Sequence, residues 1–273
     1  MAQVQASVRA PSLKVRVISA LVLAPVALGA VWAGGWALTA FAALGAALMS
    51  VEWSQLTASA RQGSGRAAMI AGLLAAILAA GLGAWGWALG LSVAAAVALI
   101  LGGLRDRSFV WLGAGILYIA GPCLALIWLR ERPGEGLATL LWLLAVVWAV
   151  DTGAYFAGRA IGGPKLAPRI SPSKTWSGLL GGVLAALAVG LVAASLTDGS
   201  ALVIAAISAG LAIVEQAGDL MESAIKRRFH VKDAGNLIPG HGGLLDRVDG
   251  LMAVLAAVAA MTLAAGRSPL LWP

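Results

Sequence analysis

Charge is what this chain of 273 residues has least of: only 11% are Asp, Glu, Lys or Arg, against about a quarter in soluble domains. With 60% hydrophobic residues and a mean hydropathy of +0.91, a soluble globular domain is excluded and a polytopic membrane protein remains. The single cysteine, Cys123, lies inside an apolar run, which excludes an intrachain disulfide and a thiolate metal site. Two histidines, His230 and His241, argue against a zinc centre of the usual kind. The 19 Lys and Arg outnumber the 12 acids, but they form no basic tract interleaved with aromatics, so the net charge of +7 does not point to nucleic acid. No repeat is visible, which leaves an inverted-repeat transporter without direct support.

What is abundant is small or apolar. Glycine (35 residues) and alanine suit close helix packing in lipid, where no hydrophobic drive brings helices together. Spans of about 18–22 apolar residues cross a bilayer. Candidates fall near 15–34, 36–51, 67–84, 86–104, 109–129, 137–157, 177–196, 201–222 and 250–266. The expected fold is therefore an all-α bundle of about nine transmembrane helices. Residues 1–134 hold about five spans, and 135–273 hold about four, with long loops at 158–176 and 223–249. The basic start, MAQVQASVRAPSLKVR, has no clear small-x-small cleavage site after it and reads as the lead into the first span. Alternating crossings put 16 of the 19 basic residues on the N-terminal side, leaving only Arg130, Arg132 and Arg267 opposite. The positive-inside rule makes that side, and both long loops, cytoplasmic.

Acids inside the spans are the exception that needs a cause. Glu215, Asp219 and Glu222 stand at i, i+4 and i+7, one stripe of a mostly apolar helix. Each ionised group deep in lipid costs roughly 2.5–3.5 kcal/mol, so the stripe must face water, a cation or bases. Glu222 has a simpler alternative, an interfacial pair with Lys226 at i+4. Asp219, a turn deeper, reads as functional, and Glu215 stays open. Asp151, in AVDTGAYFAGR, either pairs with a base on another helix or meets substrate.

Both long loops can hold phosphate. In GRAIGGPKLAPRISPSKTWSG, prolines and glycines keep Gly158–Pro172 out of regular structure. Ser171, Ser173, Lys174 and Thr175 then meet the amides of a helix N-terminus, an anion cradle or simply an N-cap with a positive-inside lysine. From Glu222 to Asp249 the chain gathers eleven charged or imidazole side chains. Lys226, Arg227 and Lys232 can bind phosphates. Asp246 and Asp249, at i and i+3, can share a face and reach a metal. His241 is either a turn histidine or a phosphate contact. Oxygen ligands alone suit magnesium.

The second loop resembles the signature of phosphatidate cytidylyltransferases, the CDP-diacylglycerol synthases of bacteria. The family pattern runs Ser-x-apolar-Lys-Arg, four residues, Lys-Asp-x-small, apolar-Pro-x-His-Gly-Gly, then Asp-Arg-apolar-Asp. It is met without gaps by Ser223, Ile225, Lys226, Arg227, Lys232, Asp233, Gly235, Ile238, Pro239, His241, Gly242, Gly243, Leu244, Asp246, Arg247, Val248 and Asp249. GDLMES (218–223), SPSKTWSG (171–178) and DTGAYFAGR (151–159) are similar to family segments too, so the motifs cover about Asp151 to Asp249. The first 130 residues match in hydropathy only. Where the family usually has Ser-Pro-Lys-Lys-Thr-x-Glu-Gly, this chain has Ser173 and Ser177, and so one lysine and no glutamate.

The resemblance implies transfer of CMP from CTP to phosphatidic acid at the cytoplasmic face of a bacterial inner membrane, by a homodimer among membrane lipids. It implies Mg2+, with a second cation such as K+ left open. Asp219, Asp246, Asp249 and Glu222 become the metal carboxylates; Asp219, Asp246, Lys226 and Asp249 are the catalytic set. Ser171, Ser173, Lys174, Thr175, Arg227, Lys232 and His241 bind substrate. The phosphotransferases that consume CDP-diacylglycerol share the opening Asp246-Arg247-Val248-Asp249-Gly250, but their later acids are missing, since none follows Asp249. A transporter lined by Asp151, Glu215 and Asp219 would leave the lysine and histidine cluster without a purpose.

Overall fold

A chain in lipid must satisfy its backbone N–H and C=O groups internally, and a helix does so within one segment. The structure, a computed structural model, describes residues 13–57, 63–102, 107–238, 240 and 242–273. Among them are nine α-helices: α1 (Leu13–Ala33), α2 (Gly35–Thr57), α3 (Gly63–Gly81), α4 (Trp85–Gly102), α5 (Arg107–Arg130), α6 (Gly136–Ile161), α7 (Trp176–Ala194), α8 (Ala201–Arg228) and α9 (Leu245–Ala265). Helices α2 to α9 are long and apolar enough to cross a membrane, and α1 adds a shorter apolar stretch, Leu21–Ala33. The protein is the all-α polytopic bundle that its periodicity implies.

Contacts sort the connections into two ends, as alternating crossings require. At one end Arg130 donates to the carbonyls of Val31 (2.6 Å) and Trp32 (2.8 Å), and the Ser200 amide donates to Trp272 (2.8 Å). Arg132 joins Glu135 and the Gly266 carbonyl there. At the other end Arg227 reaches Ile170, and the rings of Trp111 and Phe229 meet edge-on at 5.0 Å. Two apolar cores fill the bundle. One packs α2 to α5 with Ala234 and the α9 residues Leu245 and Met252. The other packs α1 and α6 to α9 with Leu38 of α2 and the far half of α5. Helices α5 and α9 belong to both.

Three expectations need correction. The second helix runs six residues past residue 51, to Thr57, because Glu52 finds buried backbone partners instead of ending the span. The 158–176 segment is not irregular. Helix α6 continues to Ile161, and β1 (Lys165–Ala167) pairs antiparallel with β2 (Ser171–Thr175). Gly162 and Gly163, at φ 65° and 100°, make the exit from the helix that other residues resist, and a two-stranded ribbon tolerates proline at its edges. Finally, the 223–249 loop is helical at both ends, since α8 extends to Arg228 and α9 starts at Leu245.

Helices α6 and α7 approach most closely where glycine faces glycine. A Cβ on Gly153 would lie 2.6 Å from the Gly181 carbonyl oxygen, and one on Gly181 would lie 2.7 Å from that of Gly153. Backbone cannot yield as a side chain does, so Gly153→Val or Gly181→Val should cost about 1–3 kcal/mol through overpacking. The check is thermal unfolding in detergent micelles followed by tryptophan fluorescence. Gly45→Ala, whose Cβ meets nothing within 4 Å, should melt like the parent.

Candidate active site

Helix α8 carries the acid stripe, and Lys226 closes it at the C-terminal end. The Lys226 ammonium lies 2.5 Å from Glu222 Oε2 and 2.7 Å from Asp246 Oδ1, linking α8 to α9. The Glu222 side chain is 1% exposed. Neither of its oxygens has a partner of good hydrogen-bond geometry among the described residues, so the ammonium acts as counter-charge. The i, i+4 pair with Lys226 is formed, and both side chains are buried within the protein. Asp246 also accepts from the amides of Ala234 (3.0 and 3.1 Å) and Gly243 (3.0 Å). Its carboxylate therefore folds the 229–244 loop back onto α9.

The β-hairpin brings the other loop to the same stripe. Lys174, on β2, lies 2.5 Å from Asp219 Oδ2 and donates to Gln216 Oε1 at 3.0 Å. Thr175 is the N-cap of α7, accepting from the Gly178 amide at 3.1 Å, and its hydroxyl lies 3.1 Å from that of Ser177. The capping alternative holds in the geometry, and the lysine points to an acid rather than to a bare helix end. Gly178 is needed there, since its Cβ would sit 3.1 Å from both the Thr175 hydroxyl and the Ala154 carbonyl.

Asp249 Oδ1 accepts from its following amide, Gly250, at 2.8 Å, and the carboxylate is within electrostatic reach of Asp219, Lys226 and Lys174. Asp151 is exposed and within electrostatic reach of Lys174, Asp219, Arg247 and Glu215. Glu215, buried, accepts from Gln216 at 2.7 Å. Helices α8 and α9 touch here because Gly218 and Gly250 leave room. A Cβ on Gly218 would lie 2.6 Å from that of Ala253, and one on Gly250 2.7 Å from Glu215 Oε1.

The residues read from sequence thus separate into groups. Asp219, Glu222, Asp246, Asp249, Lys174 and Lys226 converge along α8 and α9. Asp246 and Asp249, expected to act as one pair, have different partners: the first knits the loop, and the second faces Asp219. Arg227 donates to the carbonyls of Ile170 (3.2 Å) and Val231 (3.0 Å), tying the two loops together. Ser171 is half-buried on β2, while Ser173 and Lys232 are exposed. His241 lies outside the described residues. Sequence reading missed Gln216 and two residues from the first half of the chain. The Tyr118 hydroxyl of α5 is buried without a hydrogen-bond partner among the described residues, within electrostatic reach of Glu222, Asp249 and Asp219. Glu52 of α2 accepts from the amides of Leu244 and Leu245, both at 2.8 Å. The available signal was the one acid in an otherwise apolar second span.

Among the described residues no three Asp, Glu, His or Cys side chains converge in a ready metal cage. Magnesium keeps several waters and takes one or two carboxylates together with substrate phosphates. Asp219 and Asp249 suit that demand, being acids of adjacent helices with cations on the rim.

The sequence model of the cytidylyltransferase family matches residues 14–264. The chain belongs to the cytidylyltransferase family. It is 42% identical over 253 residues to a protein of Brucella suis biovar 1 named phosphatidate cytidylyltransferase, across 90% of this chain and 91% of that one. To the protein of the same name from Pseudomonas aeruginosa it is 38% identical over 272 residues, across 93% and 98%. The family match is therefore not confined to the motifs from Asp151 onward. It includes most of the first 130 residues, where Glu52 and Tyr118 lie.

Lys226 holds two buried carboxylates, so removing it should be costly in a specific way. Lys226→Met leaves both acids without their cation and should destabilise by about 3–5 kcal/mol, whereas replacing a whole buried pair by apolar residues is often nearly neutral. Adding Glu222→Leu should therefore recover part of the loss, as read from unfolding midpoints in denaturant.

Proposed function

We propose that the protein is a membrane-embedded nucleotidyltransferase that moves CMP from CTP to phosphatidic acid, giving CDP-diacylglycerol and pyrophosphate. The observation that carries the reading is Lys174 on Asp219. The hairpin and the acid stripe, distant in sequence, meet where Lys174 lies against Asp219. The family membership and the names of its relatives agree with it.

The chemistry is a displacement at phosphorus. A phosphate oxygen of the lipid forms a bond to the α-phosphorus of CTP, and the bond from that phosphorus to the bridging oxygen of the β-phosphate breaks. No covalent enzyme intermediate is needed, because the lipid phosphate is already a nucleophile. The obstacle is electrostatic: two anions must meet and a third must leave. Lys174 and the exposed Lys232 would take triphosphate charge, and Ser171 and Ser173, on the same strand as Lys174, would supply hydroxyls. Asp219 holds Lys174 until nucleotide competes for it, and Asp249 completes the acid pair. Mg2+, held by Asp219 and Asp249, would supply positive charge to the phosphates as pyrophosphate departs. Acyl chains remain in lipid while nucleotide enters from water, which places the site at a membrane edge. The excess of Lys and Arg at that edge supports a cytoplasmic face in a bacterial inner membrane. A homodimer suits such a bundle.

Purified protein in mixed micelles of phosphatidic acid should release pyrophosphate from CTP only when lipid and Mg2+ are both present. Asp219→Asn should lower kcat by about a hundredfold or more, the scale of losing one stabilising group aimed at developing charge. No release from folded protein with any nucleotide would sink the reading.

A further inference from the structure

Glu52 is a charged group whose place neither the bilayer nor the displacement chemistry explains. It is 0% exposed near the C-terminal end of α2, and a buried carboxylate is costly unless paired. No ion pair to it occurs among the described residues. Its partners are instead backbone amides: Oε1 accepts from Leu244 and Oε2 from Leu245, each at 2.8 Å, across 192 and 193 residues of chain. These belong to the start of α9, where N–H groups have no partner inside the helix and the helix dipole favours negative charge. A helix usually takes its cap from Ser, Thr, Asp or Asn at the N-cap position. Here that position is Leu244, which offers no side-chain cap. The cap arrives from α2.

The loop is shaped around that carboxylate. A Cβ on Gly235 would lie 2.7 Å from Glu52 Oε1, and one on Gly243 would lie 3.0 Å from it and 2.9 Å from Asp246 Oδ2. Glu52 and Asp246 thus grip the 229–244 segment from two sides, Asp246 through the Ala234 and Gly243 amides. The first turns of α9 between them carry Asp246, Arg247 and Asp249.

We propose that Glu52 is a positioning residue for the transfer reaction: by capping α9 from α2, it fixes how Asp249 is presented to the nucleotide. The idea rests on the cytidylyltransferase reading of the site. It also gives the N-terminal helices a part in the chemistry, since the start of α9 takes its cap from α2.

The test compares full-length Glu52→Gln with Ser50→Ala, a buried neighbour whose hydroxyl donates only to Ala46 within α2. The Gln amide keeps the shape but turns an NH2 toward one of two backbone donors. In Glu52→Gln, kcat should fall about 10–100-fold, as for loss of a group that orients site carboxylates. KM for CTP should stay within about threefold, the signature of lost transition-state alignment rather than lost binding. Amide hydrogen exchange should speed up about tenfold over 242–249 and nowhere else. Ser50→Ala should keep both kcat and exchange. Gly235→Ala, which crowds the same oxygen, should reproduce the Glu52→Gln pattern and serves if that variant does not fold. Wild-type kcat in both variants overturns the proposal. So does a loss that Ser50→Ala shares, or faster exchange spread over the whole bundle, because either marks a structural role alone. If wild-type protein transfers no CMP, the functional reading fails, and the exchange pattern by itself still decides whether Glu52 holds α9.

Discussion

The Lys226 ammonium lies 2.5 Å from Glu222 and 2.7 Å from Asp246, in a part of the protein where neither carboxylate can be hydrated. Each of the three charges would be prohibitive alone. Together they join the end of α8, the start of α9 and, through the amides bound to Asp246, the intervening loop. A mobile loop could not hold Asp249 opposite Asp219, and without that opposition the cleft has no fixed acid pair. The bridge is also directional. It forms only if α8 continues helical through Lys226, which carries the acid stripe to the membrane edge instead of leaving it in a loose connection.

What the sequence made legible follows from periodicity. Acids at i, i+4 and i+7 in an apolar helix have one face whatever surrounds them, so Glu215, Asp219 and Glu222 could be placed together before any tertiary contact was known. The nine helices were legible for the same reason, since lipid imposes a length and a composition on each. Asp246 and Asp249 show the limit. Spacing put them on one face, but could not show that the loop would fold back and occupy Asp246 with two amides and an ammonium. The hairpin at 165–175 was hidden because proline and glycine announce the absence of helix and say little about a three-residue strand. Glu52 was hidden more deeply, because its partners are amides, which leave no trace in side-chain chemistry, and lie 192 residues away.

The electrostatic layout answers a problem set by the substrates. Bases on the rim attract two anionic partners, while acids at depth, stripped of water, would repel them. Lys174 lies on this boundary, paired with Asp219 and hydrogen-bonded to Gln216. An ion pair in a low-dielectric cleft is strong, yet a triphosphate offers the ammonium more charge than one carboxylate does. In the proposed reaction, exchange of partners by Lys174 would free Asp219 as nucleotide arrives, and the resting pair keeps both groups compensated.

Scarcity of charge explains why fold and chemistry are so hard to separate here. Lipid gives helices no hydrophobic reason to associate, and most of the packing rests on small residues such as Gly153 against Gly181 or Gly218 against Ala253. Such contacts permit closeness but specify rotation and depth weakly. The few polar contacts must supply that specification, and among the described residues those on the site's side of the bundle converge on α8, α9 and the loops beside them. The carboxylates and ammonium of the candidate site are therefore the ones that set how the helices lie. A soluble enzyme can spread these two duties over a quarter of its residues; a chain with 11% charge has to combine them.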